Sequence, residues 1–445
     1  MTAEEEIMSQ RRMHLATAIA NGFGSSPYAW TDPRVDPADW TDVRAWMRYA
    51  QIAERGKLDF IFFGDFLAQS QRAESHSPSQ SLEPAVLATA LALATERIGF
   101  VNTVSATFEE PYNIARVLKS LDVVSGGRIG WNAVTTSAPP AAANYGRDVV
   151  DRETRYALID EVIQAVQALW GSWGEDAWIA DKESRRFTDL SKIAPVNFRG
   201  GFVATRGPLE VPPSKQGQPI MSHSGAGPQS LALAGRHADI LITEVFTIDE
   251  ARQHRAIMRQ AAAAAGRNPD AVKYLVGVQP STADTGAAAL ARRGELVEPD
   301  VPQQVHYLGQ LIGLRLGPAD LDAPLSPEQL AIARAHPGDS RSYRALEIAR
   351  EGWTVRQVLH HAVIDYHPAP IGRPEVIADH MQEWFDADAA DGFWVTPDIH
   401  VDGMAAFVDG VVPILQQRGL FRDEYEGETL RDHLGIDRQY GPRYV

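Results

Sequence analysis

The sequence predicts an α/β fold: an eight-stranded (β/α)8 barrel of the TIM type with long insertions after its fourth and seventh strands. Three observations predict it. Short apolar runs alternate with amphipathic helical stretches, the pattern of a parallel sheet whose strands are joined by helices. Eight such runs can be counted, the number that closes this barrel. One helix–turn–strand unit also occurs twice in succession, since "LALATERIGFVNTVSAT" and "YNIARVLKSLDVVSGGRIGWNAVTT" both pass from a helix through Arg-Ile-Gly to a strand with a polar end. An open doubly wound sheet is the rival arrangement of the same units.

In chain order the strand candidates are "MHLATAIA" (13–20), "LDFIFFGDF" (58–66), "RIGFVNTVS" (97–105), "RIGWNAVT" (128–135), "PIMSHSG" (219–225), "ADILITEV" (238–245), "VKYLVGVQP" (272–280) and "GFWVTPD" (392–398). The helix before strand four has Ile114, Val117, Leu118 and Leu121 on one face, Pro111 in its first turn and Gly126–Gly127 at its stop. The run "AVLATALALA" at 85–94 is too short to cross a bilayer and reads as a buried helix. Residues 137–218 and 281–391 are too long for ordinary connections. The first holds the helix "RETRYALIDEVIQAVQALWGSWG" and a hairpin-like stretch, "NFRGGFVATRGPLEVPPSKQGQP"; the second holds at least two more helices. In a barrel such insertions overlie the mouth, as lid and substrate pocket or as oligomer contacts. The tail, 399–445, reads as one amphipathic helix plus a polar extension, and no low-complexity linker divides the chain, so 1–445 is read as a single domain.

Composition excludes several functions. The 445 residues include no cysteine, which removes disulfides, thiolate zinc sites and cysteine nucleophiles. A net charge of −16 argues against nucleic acid or an anionic membrane as partner, because phosphate contacts need clustered Lys and Arg. The opening "MTAEEEIMSQRR" is acidic where a secretory signal is basic and then apolar, so a cytoplasmic location is expected. "GFGSSP" offers Gly22 and Gly24 but has Pro27 where a dinucleotide fingerprint needs its third glycine. His360–His361 lack the spacing of metal ligands, and no metal is expected.

Candidate binding residues gather at the C-terminal strand ends, where barrels of this type carry their sites. They are Asp65, then Asn102, Thr103 and Ser105, then Asn132 and Thr135, then Ser222–Ser224, and Glu244. In "HSGAGPQSLALAG" a strand ends at Gly225-x-Gly227 and a helix starts at Pro228. The free N–H groups of such a start attract an anion such as phosphate, although plain turn chemistry uses the same residues. Asp65, Glu244 and Asp398 are also spaced as the paired carboxylates of a glycosidase, and spacing alone does not decide against it.

The blocks "AERGKLDFIFFGDF", "EEPYNIARVLKSLDVVSGGRIGWNAVTTSA", "RGPLEVPPSKQGQPI", "EVIADHMQEWFDADAADGF" and "VVPILQQRGLFRDEYEGETLRDHLG" resemble the bacterial-luciferase-like flavin monooxygenases, in the branch of nitrilotriacetate and dibenzothiophene-sulfone monooxygenases. The resemblance runs through nearly the whole chain. It implies a TIM barrel that uses O2 and reduced FMN, the latter supplied by a separate NAD(P)H-dependent flavin reductase. The implied reaction oxygenates a small organic substrate, with cleavage of a C–N, C–S or carbon–halogen bond, in a homodimer or homotetramer. Carried over residue by residue, it places Asp65, Thr103, Ser105 and Asn132 beside the isoalloxazine and makes Tyr156 a flavin contact. Three departures matter. Arg152 stands where the family usually has His, and its permanent charge suits phosphate rather than proton transfer. Gly227 and Ser230 stand where Ser and Gly are usual, leaving phosphate binding to the Gly227 N–H and Ser230, and "NGFGSSPYAW" lacks a paired His. No catalytic acid or base is assigned. A deazaflavin-dependent hydride-transfer enzyme on the same barrel and a non-catalytic flavin-binding protein are the alternatives.

Overall fold

Each of the eight apolar runs forms a strand in the computed structural model, which describes residues 11–18, 22–69, 72, 74–76 and 82–442. They are β1 (His14–Ala18), β2 (Phe60–Phe63), β3 (Gly99–Ser105), β4 (Ile129–Val134), β5 (Ile220–Ser224), β6 (Ile240–Thr243), β7 (Lys273–Val278) and β8 (Gly392–Val395). The expected end of β1 at 19–20 lies outside the described residues. All eight pair in parallel, and β1 bonds to β8 on one side (His14 opposite Gly392) and to β2 on the other (Ala16 opposite Phe60). The sheet is therefore closed, and the open arrangement is excluded.

Alternation along the strands sorts side chains into two layers. Ala16, Ala18, Phe60, Phe62, Val101, Ile220, Ile240, Ile242, Leu275 and Trp394 point into the barrel. Their neighbours Leu15, Ile61, Phe63, Phe100, Trp131 and Phe393 pack outward against the helices. The helices that matter below are α1 (Val43–Arg55), α2 (Pro84–Leu93), α3 (Pro111–Val124), α4 (Arg152–Trp170), α5 (Pro228–His237), α6 (Ile248–Ala264), α7 (Gly286–Val297), α8 (Arg341–Arg350) and α9 (Pro374–Asp386). α3 has Pro111 in its first turn and is followed by Gly126 at φ +74° and Gly127 at φ +94°, the left-handed stop its sequence called for. α2 departs from expectation: it is only half buried, with Val86 65% and Leu93 74% exposed. A helix apolar all round has no periodicity to say which face is covered.

Between β4 and β5 lie α4 and two small hairpins, Trp178–Asp181 with Arg186–Thr188 and Phe198–Arg199 with Ala204–Thr205, the second within the hairpin-like stretch. Between β7 and β8, helices around α7 and α8 bury an apolar cluster of their own, including Val301, Val305, Leu308, Leu346, Val358 and Leu359. Arg292 on α7 ties this insertion down, donating to both carboxylate oxygens of buried Asp398 just beyond β8, at 2.7 and 2.8 Å, and to Asp402. The tail is more than a polar extension. Leu430 and Leu434 join the barrel interior at its N-terminal end, and Arg422 and Arg431 reach Asp59 (2.5 Å) and Asp239 (3.4 Å) at the bases of β2 and β6.

Candidate active site

Register brings the polar ends of β3, β4 and β5 side by side, with Thr103 opposite Asn132 and Asn132 opposite Ser222. The Asn132 amide nitrogen donates to Thr103 Oγ1 at 2.8 Å, and Ser224 Oγ donates to Asn132 Oδ1 at 3.0 Å. Thr136 Oγ1 donates to Ser105 Oγ at 2.8 Å. Asn132, Thr103 and Ser105 are buried, and their mutual bonds hold the side chains in one orientation.

A second group assembles where β5 meets α5. Gly225 has φ +139°, which favours glycine, and a Cβ there would stand 2.6 Å from Ser230 Oγ. A Cβ on Gly227 would stand 2.5 Å from a guanidinium nitrogen of Arg152. The Tyr156 hydroxyl lies 2.6 Å from Ser230 Oγ, and the Arg152 guanidinium lies 5.7 Å from the centre of the Tyr156 ring, one helical turn away. Asp151 caps α4 through Thr154, at 3.0 Å to its backbone N–H, and among the described residues no carboxylate pairs with Arg152. A helix N-terminus, a guanidinium and a hydroxyl pair thus converge around two glycines, a geometry that suits an anion.

Asp65 lies two residues beyond β2 and adjoins the first group through Ser105. With Ser105, Glu83, Glu109 and Tyr145 it lines a cavity of about 660 Å³. Burial, reinforced by Glu83 and Glu109, pushes its pKa up to about 6. The three carboxylates once grouped for sugar hydrolysis have separate commitments. Glu244, pushed up to about 7 by burial against the opposing pull of Arg341, accepts a hydrogen bond from the Tyr366 hydroxyl. Asp398 is held by Arg292 and by the Ile399 N–H at 2.8 Å. Gly24 has a packing reason instead of a cofactor one, because a Cβ there would fall 2.4 Å from the Asp398 carbonyl oxygen. His360 Nε2 lies 3.1 Å from Glu298 Oε2.

Two residues of the mouth escaped the sequence reading, Trp394 and His367. Trp394 was accessible by alternation within "GFWVTPD". His367 was not, since it lies in the irregular connection ahead of α9. Its ring sits over Gly277 and edge-on to Trp394, with centroids 5.0 Å apart.

A closed parallel barrel with a bonded polar wall and an anion cradle at its strand ends defines an enzyme whose ligands enter at the barrel mouth. The luciferase-like monooxygenase profile matches residues 13–391, and the chain belongs to that family. It is 37% identical over 437 residues to N-acetyl-S-(2-succino)cysteine monooxygenase of Bacillus subtilis (strain 168), covering 96% of this chain and 98% of that one. It is likewise 37% identical over 427 residues to nitrilotriacetate monooxygenase component A of Aminobacter aminovorans, covering 92% and 93%. The solved structure of EDTA monooxygenase from Chelativorans sp. BNC1 superposes with a TM-score of 0.81 at 30% identity, covering 97% of this chain and 100% of that one. The chain is a monooxygenase of this branch.

Proposed function

We propose that this monooxygenase is the oxygenase component of a two-component system. It takes reduced FMN from a separate NAD(P)H-dependent flavin reductase and uses O2 to oxygenate a small organic substrate at a C–N, C–S or carbon–halogen bond. The observation that carries the reading is the cradle of Gly225, Gly227 and Ser230 with Arg152 and Tyr156 around it. The residues present fit the cofactor. Gly225 adopts a φ of +139° that favours glycine, the first-turn N–H groups of α5 have no partner within the helix, and Arg152 has no competing carboxylate among the described residues. Ser222 Oγ, buried on β5 beside Asn132, has no hydrogen-bond partner among the described residues, as expected of a wall that awaits a polar ligand.

In this reading Arg152, Ser230 and the start of α5 hold the phosphate. Thr103, Ser105, Asn132 and Asp65 lie on the isoalloxazine side, where the bonded wall orients the ring. Reduced FMN supplies the electrons that activate O2. The chain's own contribution is to fix the ring and exclude water, with the insertion after β7 covering the mouth. A homodimer or homotetramer in the cytoplasm completes the reading. No helix among the described residues is long and apolar enough to cross a membrane.

The test is anaerobic titration of the purified chain with reduced FMN. Aeration with organosulfur, aminocarboxylate and halogenated aromatic compounds follows, reading product masses for inserted oxygen. Binding of reduced FMN with oxygenated product, and no NADH oxidation until a reductase is added, is the expected result. Failure to bind reduced FMN, or steady NADH oxidation by the chain alone, overturns it.

A further inference from the structure

Polar groups at the barrel mouth are only partly satisfied. On the β3–β5 side, Asn132 bonds to Thr103 and Ser224, and Ser105 to Thr136, while Ser222 Oγ has no partner among the described residues. The β7–β8 side carries more such groups close together. His367 is 2% exposed, yet neither ring nitrogen has a partner among the described residues. Trp394 Nε1 and Thr396 Oγ1, on β8 and just beyond it, are buried and equally unpartnered. Leaving such groups unpaired costs about 1–3 kcal/mol each, so a native wall that carries several is built for a ligand that completes them.

The position of His367 is specific. Gly277 lies two residues after Leu275 on the inward face of β7, and the imidazole fills the space above it, 2.3 Å from where a Cβ would stand. Trp394 on the next strand meets the ring edge-on. The same imidazole, although not Trp394, lines a cavity of about 750 Å³ between Phe246–Thr247, α8 and residues 367–371, which gives a ligand room beside His367. Burial holds the His367 pKa down to about 3, so the ring is neutral and offers one donor and one acceptor. An indole N–H only donates. The wall's shared demand is therefore an acceptor on the ligand.

We propose that His367 and Trp394 bind the substrate directly, and that the substrate carries an oxygen acceptor (carboxylate, amide or sulfone) apart from the bond it loses. An alkane or a simple dialkyl sulfide leaves these donors unsatisfied and is a poor substrate. This rests on the monooxygenase reading above and narrows its substrate class.

The test compares three probes by calorimetry on the FMN-loaded protein and by product mass with reduced FMN and O2 supplied: N-acetyl-S-(2-succino)cysteine, dibenzothiophene sulfone and the acceptor-free dibutyl sulfide. At least one acceptor-bearing probe binds at least tenfold more tightly than dibutyl sulfide. His367→Phe weakens that probe by about tenfold, and His367→Gln, which keeps a donor and an acceptor, restores most of the affinity. Trp394→Phe, which removes only the N–H donor and part of the ring, weakens the same probe, and serves as the test should His367→Phe fail to fold. Dibutyl sulfide binding as well as the best acceptor-bearing probe overturns the proposal, as does unchanged affinity in the variants or no binding by either acceptor-bearing probe. FMN affinity, measured separately, distinguishes the cases: wild-type protein that does not bind FMN refutes the proposed function, whereas loaded protein that ignores the acceptor refutes only this inference.

Discussion

At the level of single residues, Arg152 is the most informative position, because it brings a full charge to the Gly225–Gly227 turn at the start of α5. A charge-assisted contact from its guanidinium to phosphate is worth roughly 1.5–3 kcal/mol. Arg152→Ala is expected to weaken reduced FMN by about ten- to a hundredfold. Added salt weakens wild-type binding more than that of the variant, since screening acts on the charge the variant lacks. Anaerobic titrations at two salt concentrations check this, and equal affinities with equal salt slopes would place Arg152 outside the site. The motif in this region was legible as a candidate anion site because a glycine-rich strand end runs into a helix start, although plain turn chemistry uses the same residues. His367 was not legible, since its role comes from lying over Gly277, a residue 90 positions earlier that no local pattern connects to it.

At the level of elements, the insertion after β7 depends on a few buried contacts for its placement. Arg292 neutralises Asp398, whose side chain is 2% exposed, and removing one partner of such a pair strands the other charge. Arg292→Ala should cost about 3–5 kcal/mol of stability by urea denaturation, far more than an exposed pair such as Arg344 with Glu347. α2 and α3 make a different prediction. Their outer faces expose Val86 and Leu93, and Val117 and Val124, more apolar surface than a solvated helix pair normally keeps. If the chain is a homo-oligomer through this face, Leu93→Asp with Val124→Asp lowers the mass in solution, read by light scattering, and leaves FMN affinity unchanged. The eight strands were legible because apolar runs between helices have a short period and a defined length. The exposure of α2 and the inward turn of Leu430 and Leu434 were not, because each depends on a partner far away in sequence.

The whole molecule shares a sensitivity to acid. His223 and His433 are held down to about 4 and His367 to about 3, in each case chiefly by burial; for His433, Arg422 adds to the effect while Asp59 opposes it. Because the folded values lie below the unfolded one, the unfolded chain binds these protons first. The stabilisation is complete above about pH 6.5 and is lost as pH falls toward 4. Each histidine contributes a slope of up to about 1.4 kcal/mol per pH unit in that window, and His380, held down to about 4, and His400, held down to about 3, both by burial, act in the same sense. Unfolding free energies at pH 7, 6 and 5 measure the slope, and His433→Gln should reduce it by one histidine's share.

The barrel base also sets the timing of folding. Asp59 waits 363 residues for Arg422, and Asp239 waits 192 for Arg431. At ribosomal speeds of 5–20 residues per second the first interval lasts roughly 20–70 s. Once β8 (Gly392–Val395) is made all eight strands are present, yet Asp59 and Asp239 still lack Arg422 and Arg431 and the floor lacks Leu430 and Leu434. A nascent chain interrupted before residue 422 is left in that condition, whatever the quality of its strands. The base of the barrel is therefore completed only once the tail is made.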